Sequence, residues 1–364
     1  MREWPKIMKK KVLYLVEAFG GGVFTFLVDL ANGVSDEYDV IIGYSKRKQT
    51  PNDFRKYFSK NIKFIEIKNF TRNIGIKDIM ACKEIRNIIR KEKPDIVHMH
   101  SSKAGIIGRL VISNKNRKLL YTPHGYSFLK QDDSKIKRYL YKLIEKGVAI
   151  YKRKCIIIAC SKGEYEESLK ISKNSTYVNN GVNTREIEQL IKVHKERKFD
   201  INNLKICTVG RIEFQKNPEL FNKIAEQFKN IQFTWIGDGD LKDTLKNKNI
   251  KITGWNTREE VLKQLSNNDI FLLPSLWEGL PISLLESMSL GKICIVSNTI
   301  GNRDVIINEL NGFVCNKIED YIEVINKIIC GNVNIEEISY NARKDVLEKY
   351  CTEKMCNKYK KLYN

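Results

Sequence analysis

The sequence predicts an α/β protein with two Rossmann-like, doubly wound domains that face each other across a cleft. The chain has 364 residues, which is enough for two domains of ordinary size. Short β-rich runs alternate with helical patterns, and this is typical of parallel βαβ units. The alternation stops in a charged segment and then starts again. We therefore predict a first domain at 1–182, a linker at 183–203, a second domain at 204–345 and a closing helix at 346–364.

The first series of elements opens with a strand, a run of glycines and a helix. Gly20-Gly21-Gly22 is expected to form a loop, and Val23–Asn32 follows with helical spacing. Ser161 and Glu164 form a capping box, which marks the start of a later helix. The strands predicted in this half are Lys11–Val16, Asp39–Gly43, Lys63–Ile67, Ile96–His100, Leu119–Thr122 and Cys155–Cys160.

The second series has well-marked helix starts. Asn217-Pro218 precedes an apolar-periodic segment, and Thr257 to Glu260 is a further capping box. The strands predicted here are Leu204–Val209, Gln232–Ile236, Lys251–Thr253, Asp269–Leu273, Ile293–Val296 and Gly312–Val314.

Composition argues against several classes of protein. The apolar run Lys11–Phe19 contains Glu17 and is too short for a signal peptide, and no segment reaches the roughly 20 apolar residues of a membrane span. The nine cysteines include no CxxC pair, so neither a disulfide framework nor a zinc site is indicated. We expect a reduced, cytoplasmic protein.

Positive charge is concentrated in the first half of the chain. Residues 1–200 contain 42 Lys and Arg against 22 Asp and Glu, whereas residues 201–364 contain 22 against 21. A one-sided basic surface is typical of proteins that bind a polyanion, such as nucleic acid or an anionic membrane leaflet. A solvated, lysine-rich face is the alternative. Because no nucleic-acid-binding motif accompanies the charge, we expect no nucleic-acid partner.

The stretch Ser275–Ser297 carries the clearest candidate site. An apolar strand leads into Glu278, and a helix is expected from Pro281 to Leu290. The free amide groups at such a helix start bind anions such as a diphosphate. Glu286 lies about 8 Å further along the helix axis. Since carboxylates accept paired hydrogen bonds from vicinal hydroxyls, the spacing fits one glutamate per sugar on either side of a diphosphate.

This Glu-x7-Glu pair, in the setting strand-Pro-Ser-x-x-Glu-Gly-x-Pro-helix, resembles the donor-binding signature of retaining family 4 glycosyltransferases of the GT-B fold. The resemblance covers most of the chain. In that family the second glutamate, here Glu286, binds the ribose of the nucleotide, and the first, here Glu278, contacts the donor sugar. The residues between them that help to hold the diphosphate are here Gly279, Leu280, Pro281 and Ile282.

The segment VGRIEFQKN supplies two positive charges after a strand. Arg211 and Lys216, beside Gly210, could neutralise a departing diphosphate. An isolated pair of this kind would be an ordinary surface pair, but here it resembles the phosphate-binding Arg and Lys of the same family.

Two further turns in the second half match the family. The segment IGDGD contains Gly237 and Gly239, which favour a tight turn near the nucleotide over an Asp-x-Asp metal site. The resemblance implies no metal and no cofactor beyond the nucleotide sugar. Trp255, in ITGWN, occupies the position where the family holds its nucleobase, with plain packing as the alternative.

The first half supplies the opposite wall of the expected cleft. Gly21 and Gly22 would face the donor phosphates, although a glycine run alone also fits a flexible turn. His124, in TPHGYSF, matches the family histidine near the anomeric carbon, whereas a lone histidine is more often structural.

The segment HMHSSKAG is less clear. We expect only one of His98 and His100 to face the cleft. The residues expected on the acceptor side are His100, Ser101 and Lys103, and Arg109 is a further candidate for an acceptor phosphate.

The resemblance implies a metal-independent retaining transferase that moves a hexose or N-acetylhexosamine from a nucleotide diphosphate sugar, with a UDP-sugar favoured. It further implies a lipid-linked glycan acceptor, a role in bacterial capsule or lipopolysaccharide synthesis, an acceptor-binding first domain, and a last helix that crosses back to that domain. The basic first half would then dock the enzyme on the inner face of the cell membrane. The alternatives are a nucleotide-sugar epimerase of the same fold and a non-catalytic basic binding subunit.

Overall fold

The first half of the chain forms a parallel sheet in the computed structural model, which describes residues 9–71, 75–194 and 199–364. Within these ranges seven strands pair in the order β3-β2-β1-β4-β5-β6-β7. β1 is central, with Leu13 opposite Ile41 on one side and Val97 on the other. The strands are β1 Lys11–Phe19, β2 Asp39–Lys46, β3 Lys63–Glu66, β4 Ile96–His100, β5 Lys118–Thr122, β6 Ile156–Ala159 and β7 Ser175–Tyr177.

The second half forms its own parallel sheet. In the described part of the chain six strands pair in the order β10-β9-β8-β11-β12-β13, so strand order reverses beside β8 as it does beside β1. Ligands of such sheets bind at the carboxyl ends of the strands, next to this reversal. The strands are β8 Lys205–Val209, β9 Gln232–Ile236, β10 Ile250–Ile252, β11 Ile270–Leu273, β12 Ile293–Ser297 and β13 Phe313–Cys315.

Helices cover both faces of each sheet, and separate apolar clusters fill the space on each side. The described helices are α1 Gly21–Val34, α2 Lys77–Glu92, α3 Ser102–Val111, α4 Lys135–Tyr151, α5 Lys162–Leu169, α6 Thr184–His194, α7 Pro218–Gln227, α8 Arg258–Ser266, α9 Ile282–Ser289, α10 Asn302–Val305, α11 Ile318–Ile329, α12 Ile335–Lys349 and α13 Thr352–Tyr363. Across these ranges no helix is long and apolar enough to cross a membrane.

The predicted fold class is confirmed. All twelve predicted strands are present. The inner strands have apolar runs that are buried between two helical layers, as in β11 with four buried residues, whereas the edge strands β3 and β10 are only partly covered. β7 was missed, since its three residues, Ser-Thr-Tyr, carry no apolar run.

The sequence suggested a loop for the glycine run after β1, but the structure shows the start of a helix there. α1 already begins at Gly21, with Gly20 as its N-cap in an extended conformation. Gly21 has φ +54°, a left-handed value that favours glycine. The run therefore carries the chain from β1 directly into the first turn of α1.

The segment predicted as a linker contains α6, and the closing helix starts later than predicted. α12 ends at Lys349, because the chain then forms a parallel bridge between Val182 and Cys351. Val182 donates its N–H to Tyr350 O at 2.9 Å, and Thr352 N–H donates to Val182 O at 3.0 Å. After this bridge α13 packs against α1 and joins the apolar cluster of the first sheet.

Candidate active site

The first turn of α9 follows β11 and lies at the contact between the two domains. Pro281, the predicted first helical residue, is the N-cap of α9, and the helix begins one position later at Ile282. Asn180, from the first half, donates its side-chain N–H to Leu280 O at 2.8 Å. At Gly279 an added Cβ would lie 2.9 Å from Gly125 N. Only glycine allows this approach, so the start of α9 is held directly against the turn that contains His124.

The first turn of α1 faces the same place from the other domain. An added Cβ at Gly22 would lie 3.9 Å from Ile282 Cγ1 in the first turn of α9. The amino-terminal ends of both helices carry unpaired N–H groups and a partial positive charge. Two such ends that meet at one point form a favourable environment for a diphosphate.

Glu278 is held by an ion pair beside this point. Lys216 Nζ lies 2.7 Å from Glu278 Oε1, and both side chains are mostly buried. Gln215 Nε2 lies 3.4 Å from Glu278 Oε2 and donates to Trp277 O at 3.0 Å. The structure therefore brings together Lys216 and Glu278, which are 62 positions apart in the sequence.

Arg211 lies on the same loop but is directed differently. Its Nη1 atom lies 2.6 Å from Glu213 Oε1, and 39% of its side chain is exposed. Because the pair is partly solvated, it contributes little stability, and the guanidinium can turn to a ligand phosphate at small cost.

The predicted glycine turns lie together at the ends of β8 and β9. Gly210 and Gly237 have φ +144° and +142°, and an added Cβ at Gly237 would lie 2.2 Å from Gly210 O. An added Cβ at Gly239 would lie 2.5 Å from Ile212 O. Close backbone packing therefore requires glycine at these positions. Trp255 follows β10 and is 58% exposed, so it does not serve as core packing.

Asp238 takes part in this turn. Its carboxylate accepts the N–H of Gly239 at 2.8 Å, and its main-chain O accepts the N–H of Ile212. In the ranges that the structure describes, no group of three or more His, Cys, Asp or Glu side chains is arranged to hold a metal ion.

Glu286 lies inside α9 and belongs to a charged cluster that spans both domains. Arg258 Nε, at the start of α8, lies 3.5 Å from Glu286 Oε1. The same guanidinium lies 3.7 Å from Asp29 of α1 and 3.7 Å from Glu186 of α6. Three carboxylates thus surround one arginine, and Glu286, Asp29 and Arg258 are largely buried.

Burial controls the protonation of this cluster. It raises the pKa of Glu286 to about 7, with Arg258 opposing the rise and the charges of Asp29 and Glu186 adding to it. Burial likewise raises the pKa of Asp29 to about 6, again against the effect of Arg258. Burial is the largest of these effects, and it brings the pKa of Glu286 close to neutral pH.

His124 follows β5 and belongs to a cluster of histidines. Its Nε2 lies 3.0 Å from His100 Nδ1, and its ring packs edge-on against Phe26. It adopts a left-handed φ of +54°. Burial lowers its pKa to about 3, so the imidazole is neutral at physiological pH.

His98 and His100 do not alternate between the faces of β4, and of the two only His100 contacts His124. Residues two apart on a strand point to the same face, and both rings are fully buried with centroids 4.0 Å apart. His98 Nδ1 lies 2.9 Å from Tyr363 OH. His100 therefore does not line an acceptor surface, and it contacts the site only through His124.

Two of the other acceptor-side candidates, Lys103 and Arg109, have charged partners inside the protein. Lys103 Nζ pairs with Asp78 of α2 at 2.6 Å and donates to Thr71 O. Ser101 has a left-handed φ of +77°, and its Oγ is buried without a partner. Arg109 cannot meet an acceptor phosphate, because it is fully buried and paired with Glu145 at 2.5 Å.

Several site residues escaped the sequence reasoning. Asp29, Gln215 and Arg258 act across elements that are distant in sequence, so no local pattern marks them. Arg258 lies between Thr257 and Glu260, which form the capping box of α8. This local pattern gives no sign of the contact between Arg258 and Glu286. Asn180 belongs to the turn NNGVN and gives a signal only once its partner, Leu280, is known.

Comparison with known proteins identifies the class. The model of "Glycosyltransferase Family 4" matches residues 20–186, and that of "Glycosyl transferases group 1" matches residues 189–345. Sucrose-phosphate synthase from Thermosynechococcus elongatus has the same fold, with a TM-score of 0.81 at 16% identity over 97% of this chain and 98% of that one. The chain therefore belongs to the GT-B glycosyltransferases with a family 4 first domain and a group 1 second domain.

Two bacterial glycosyltransferases are similar to this chain over most of its length. The UDP-Gal:alpha-D-GlcNAc-diphosphoundecaprenol alpha-1,3-galactosyltransferase of Escherichia coli is 31% identical over 84% of this chain and 85% of its own length. The capsular polysaccharide biosynthesis glycosyltransferase CapM of Staphylococcus aureus is 25% identical over 79% of this chain and 83% of its own. Both are similar to this chain over both domains.

Proposed function

We propose that the protein transfers a hexose or N-acetylhexosamine from a UDP-sugar to a sugar hydroxyl of a lipid-linked glycan, with retention of the anomeric configuration. The observation that carries the proposal is the meeting of the first turns of α1 and α9 beside the Lys216–Glu278 pair. This arrangement offers two helix ends and a lysine to a diphosphate, and carboxylates to the groups on either side of it.

The donor is oriented by the second domain. The diphosphate lies between the start of α9 and the start of α1, the ribose hydroxyls bind Glu286, and the donor sugar contacts Glu278. Trp255 offers an exposed aromatic face beside the glycine turns for the base. The UDP moiety is favoured because the similar E. coli enzyme is named for a UDP-Gal donor.

Catalysis is electrostatic. The acceptor oxygen attacks the anomeric carbon on the face from which the diphosphate leaves, the bond to the diphosphate breaks, and the acceptor proton passes to the departing phosphate oxygen. Lys216, Arg211 and the helix ends stabilise the negative charge that develops, without a metal ion.

His124 lies on the other side of the donor sugar. Because its imidazole is neutral, it can exchange a hydrogen bond with a sugar hydroxyl without placing a positive charge beside an oxocarbenium-like centre. The hydrogen bond to His100 fixes the orientation of its ring.

Donor entry requires the domains to separate. Gly279 is in contact with the His124 turn, Leu280 and Ile282 contact Asn180 and the start of α1 in the first domain, and Glu278 is buried beside them. We propose that the domains open to admit the UDP-sugar and close again for transfer.

The acceptor binds to the first domain. The similar E. coli enzyme is named for a diphosphoundecaprenol-linked sugar, and CapM for capsular polysaccharide synthesis. We therefore propose that this protein takes part in the assembly of bacterial surface polysaccharide and works at the inner face of the cell membrane. The excess of positive charge in residues 1–200 favours that location.

The proposal is tested by transfer in vitro. Purified protein is incubated with a panel of UDP-sugars and a synthetic lipid-diphosphate sugar, and the anomeric coupling of the product is read by proton NMR. We expect one UDP-sugar to be transferred with its configuration retained. Lys216→Ala should lower kcat by at least about 100-fold, because it removes one stabilising charge from the leaving group.

Lys223→Ala is the matched control, since Lys223 forms an exposed ion pair on α7, away from the cleft. It should leave kcat unchanged. A product of inverted configuration would exclude the retaining mechanism, and absence of transfer from every UDP-sugar would exclude the proposed donor.

A further inference from the structure

Helix α4 turns three charged side chains, Arg138, Lys142 and Glu145, toward the protein and exposes most of its large apolar side chains to solvent. On the inner face, Arg138 Nε donates to Phe128 O at 3.0 Å. Glu145 pairs with the buried Arg109, and Lys142 lies 3.4 Å from Glu167. A surface helix usually packs its apolar face on the core. In α4 the inner face carries Val148 and Ala149 beside these charged groups, while the larger apolar side chains lie outside.

The outer face of α4 carries an exposed apolar stripe. Its members recur at the 3- and 4-residue spacing of one helix face, and all are at least 44% exposed. Ile136 is 75% exposed and Leu140 51%. The outer stripe consists of Ile136, Tyr139, Leu140, Leu143, Ile144 and Ile150.

Positive charges flank the stripe. Lys135 and Lys146 are exposed on the helix, as is Lys137, which forms an ion pair with Asp133, and the cluster 152–154 follows the end of the helix. The one acidic residue of α4, Glu145, is buried on the inner face. The exposed side of α4 is therefore both apolar and cationic.

We propose that the outer stripe of α4 inserts into the interface of an anionic lipid bilayer. Apolar side chains on one helix face, flanked by lysines, are what such an interface binds: the stripe enters the acyl boundary while the lysines contact the headgroups. A second copy of this chain is a poorer occupant, because pairing two such faces would bring their lysines together. This inference rests on the proposed function, which needs the acceptor lipid at the cleft.

The position of α4 links the bilayer to the active site. The helix begins eleven positions after His124, and Arg138 holds the connecting segment through Phe128. Gln131, just before α4, donates to Leu276 O of the second domain at 2.7 Å, two positions before Glu278. Insertion of α4 thus places the edge of the cleft at the membrane surface, where a lipid-linked diphosphate sugar is presented.

Vesicle flotation tests the inference with the full-length protein. Vesicles contain phosphatidylcholine alone or with about 30 mol% phosphatidylglycerol, in low salt and in about 0.5 M NaCl. Wild type should float with the anionic vesicles and should retain part of this binding at high salt, because apolar insertion is not screened. The variant Ile136→Glu/Leu140→Glu should bind them at least about tenfold more weakly.

The matched control is Tyr340→Glu/Leu347→Glu on α12. These two side chains are 65% and 50% exposed, close to the values of Ile136 and Leu140, but they lie in the second domain. The control should bind vesicles like wild type. Equal binding by the stripe variant would overturn the inference, and so would a lipid-free dimer that the stripe variant dissociates in sedimentation.

A separate readout distinguishes this inference from the proposed function. Slow hydrolysis of a UDP-sugar without lipid should be the same in wild type and in the stripe variant, whereas transfer to a vesicle-embedded acceptor should fall with vesicle binding. If no UDP-sugar is hydrolysed or transferred while the stripe variant alone loses vesicle binding, the proposed donor is wrong and the docking surface stands.

Discussion

Arg258 is the residue on which the protonation of the candidate ribose site depends. It lies within 3.7 Å of Asp29, Glu186 and Glu286, which come from three different helices. Burial raises the pKa of Glu286 to about 7, and Arg258 limits that rise. In the proposed site the ionised Glu286 accepts hydrogen bonds from ribose, so UDP should bind best where Glu286 has lost its proton.

Substitution of the charges around Glu286 should move the pH dependence of UDP binding in opposite directions. Arg258→Gln removes the charge that lowers the pKa of Glu286, so the rise in affinity should shift to higher pH. Asp29→Asn removes a charge that raises this pKa, so the rise should shift to lower pH. Calorimetric titration of UDP from about pH 5.5 to 9 measures both shifts.

Arg185→Gln is the control for this pair, because Arg185 is a strongly exposed arginine on α6. Its profile should match that of wild type. Coincidence of all four profiles would show that Glu286 does not control nucleotide binding.

At the scale of the elements, α13 packs the end of the chain against the first domain. Tyr363 OH contacts His98 Nδ1 at 2.9 Å and Tyr14 OH at 3.2 Å, and its side chain is buried. At Gly33 of α1 an added Cβ would lie 2.4 Å from Cys356 Sγ of α13. The two helices are therefore in close contact, and α13 completes the core beside β1.

Removal of the Tyr363 ring should destabilise the first domain. Tyr363→Ala leaves a cavity and two unpaired polar groups, and we expect it to lower the free energy of unfolding by about 3–5 kcal/mol. Urea denaturation followed by circular dichroism measures the change. Tyr340→Ala, at a position that is 65% exposed, should change it by less than about 0.5 kcal/mol. Equal effects of the two substitutions would contradict the packing role of α13.

Sequence predicts the elements of this protein better than it predicts their contacts. Apolar runs such as DIFLLPS identify buried strands because burial on both faces leaves a local composition signal. The start of α1 at Gly21 and the break before α13 depend on contacts with distant residues, so they leave no such signal. The same distinction holds in the site. The spacing of Glu278 and Glu286 marks them in the sequence, whereas the role of Arg258 depends on contacts with carboxylates of three other helices.

At the scale of the whole molecule, the two domains have different tasks in the proposed reaction. The second domain carries Lys216, Glu278 and Glu286, to which we assign donor binding. The first domain carries the excess positive charge and the outer stripe, to which we assign binding of the membrane and the acceptor. Both tasks meet where the first turn of α1 faces the first turn of α9.

The central claim, that this meeting point binds a nucleotide diphosphate sugar, is tested most directly by a thermal-shift panel of nucleotide sugars. Wild type, Glu286→Ala and the control Glu348→Ala, an exposed glutamate of α12, are heated with each compound. At about 100 times the Kd a ligand stabilises the folded state by about 2.7 kcal/mol, which corresponds to a shift of several degrees. We predict that a UDP-sugar raises the melting temperature of wild type and of Glu348→Ala but not that of Glu286→Ala. Absence of a shift with every nucleotide sugar, or an equal shift in Glu286→Ala, would contradict the claim.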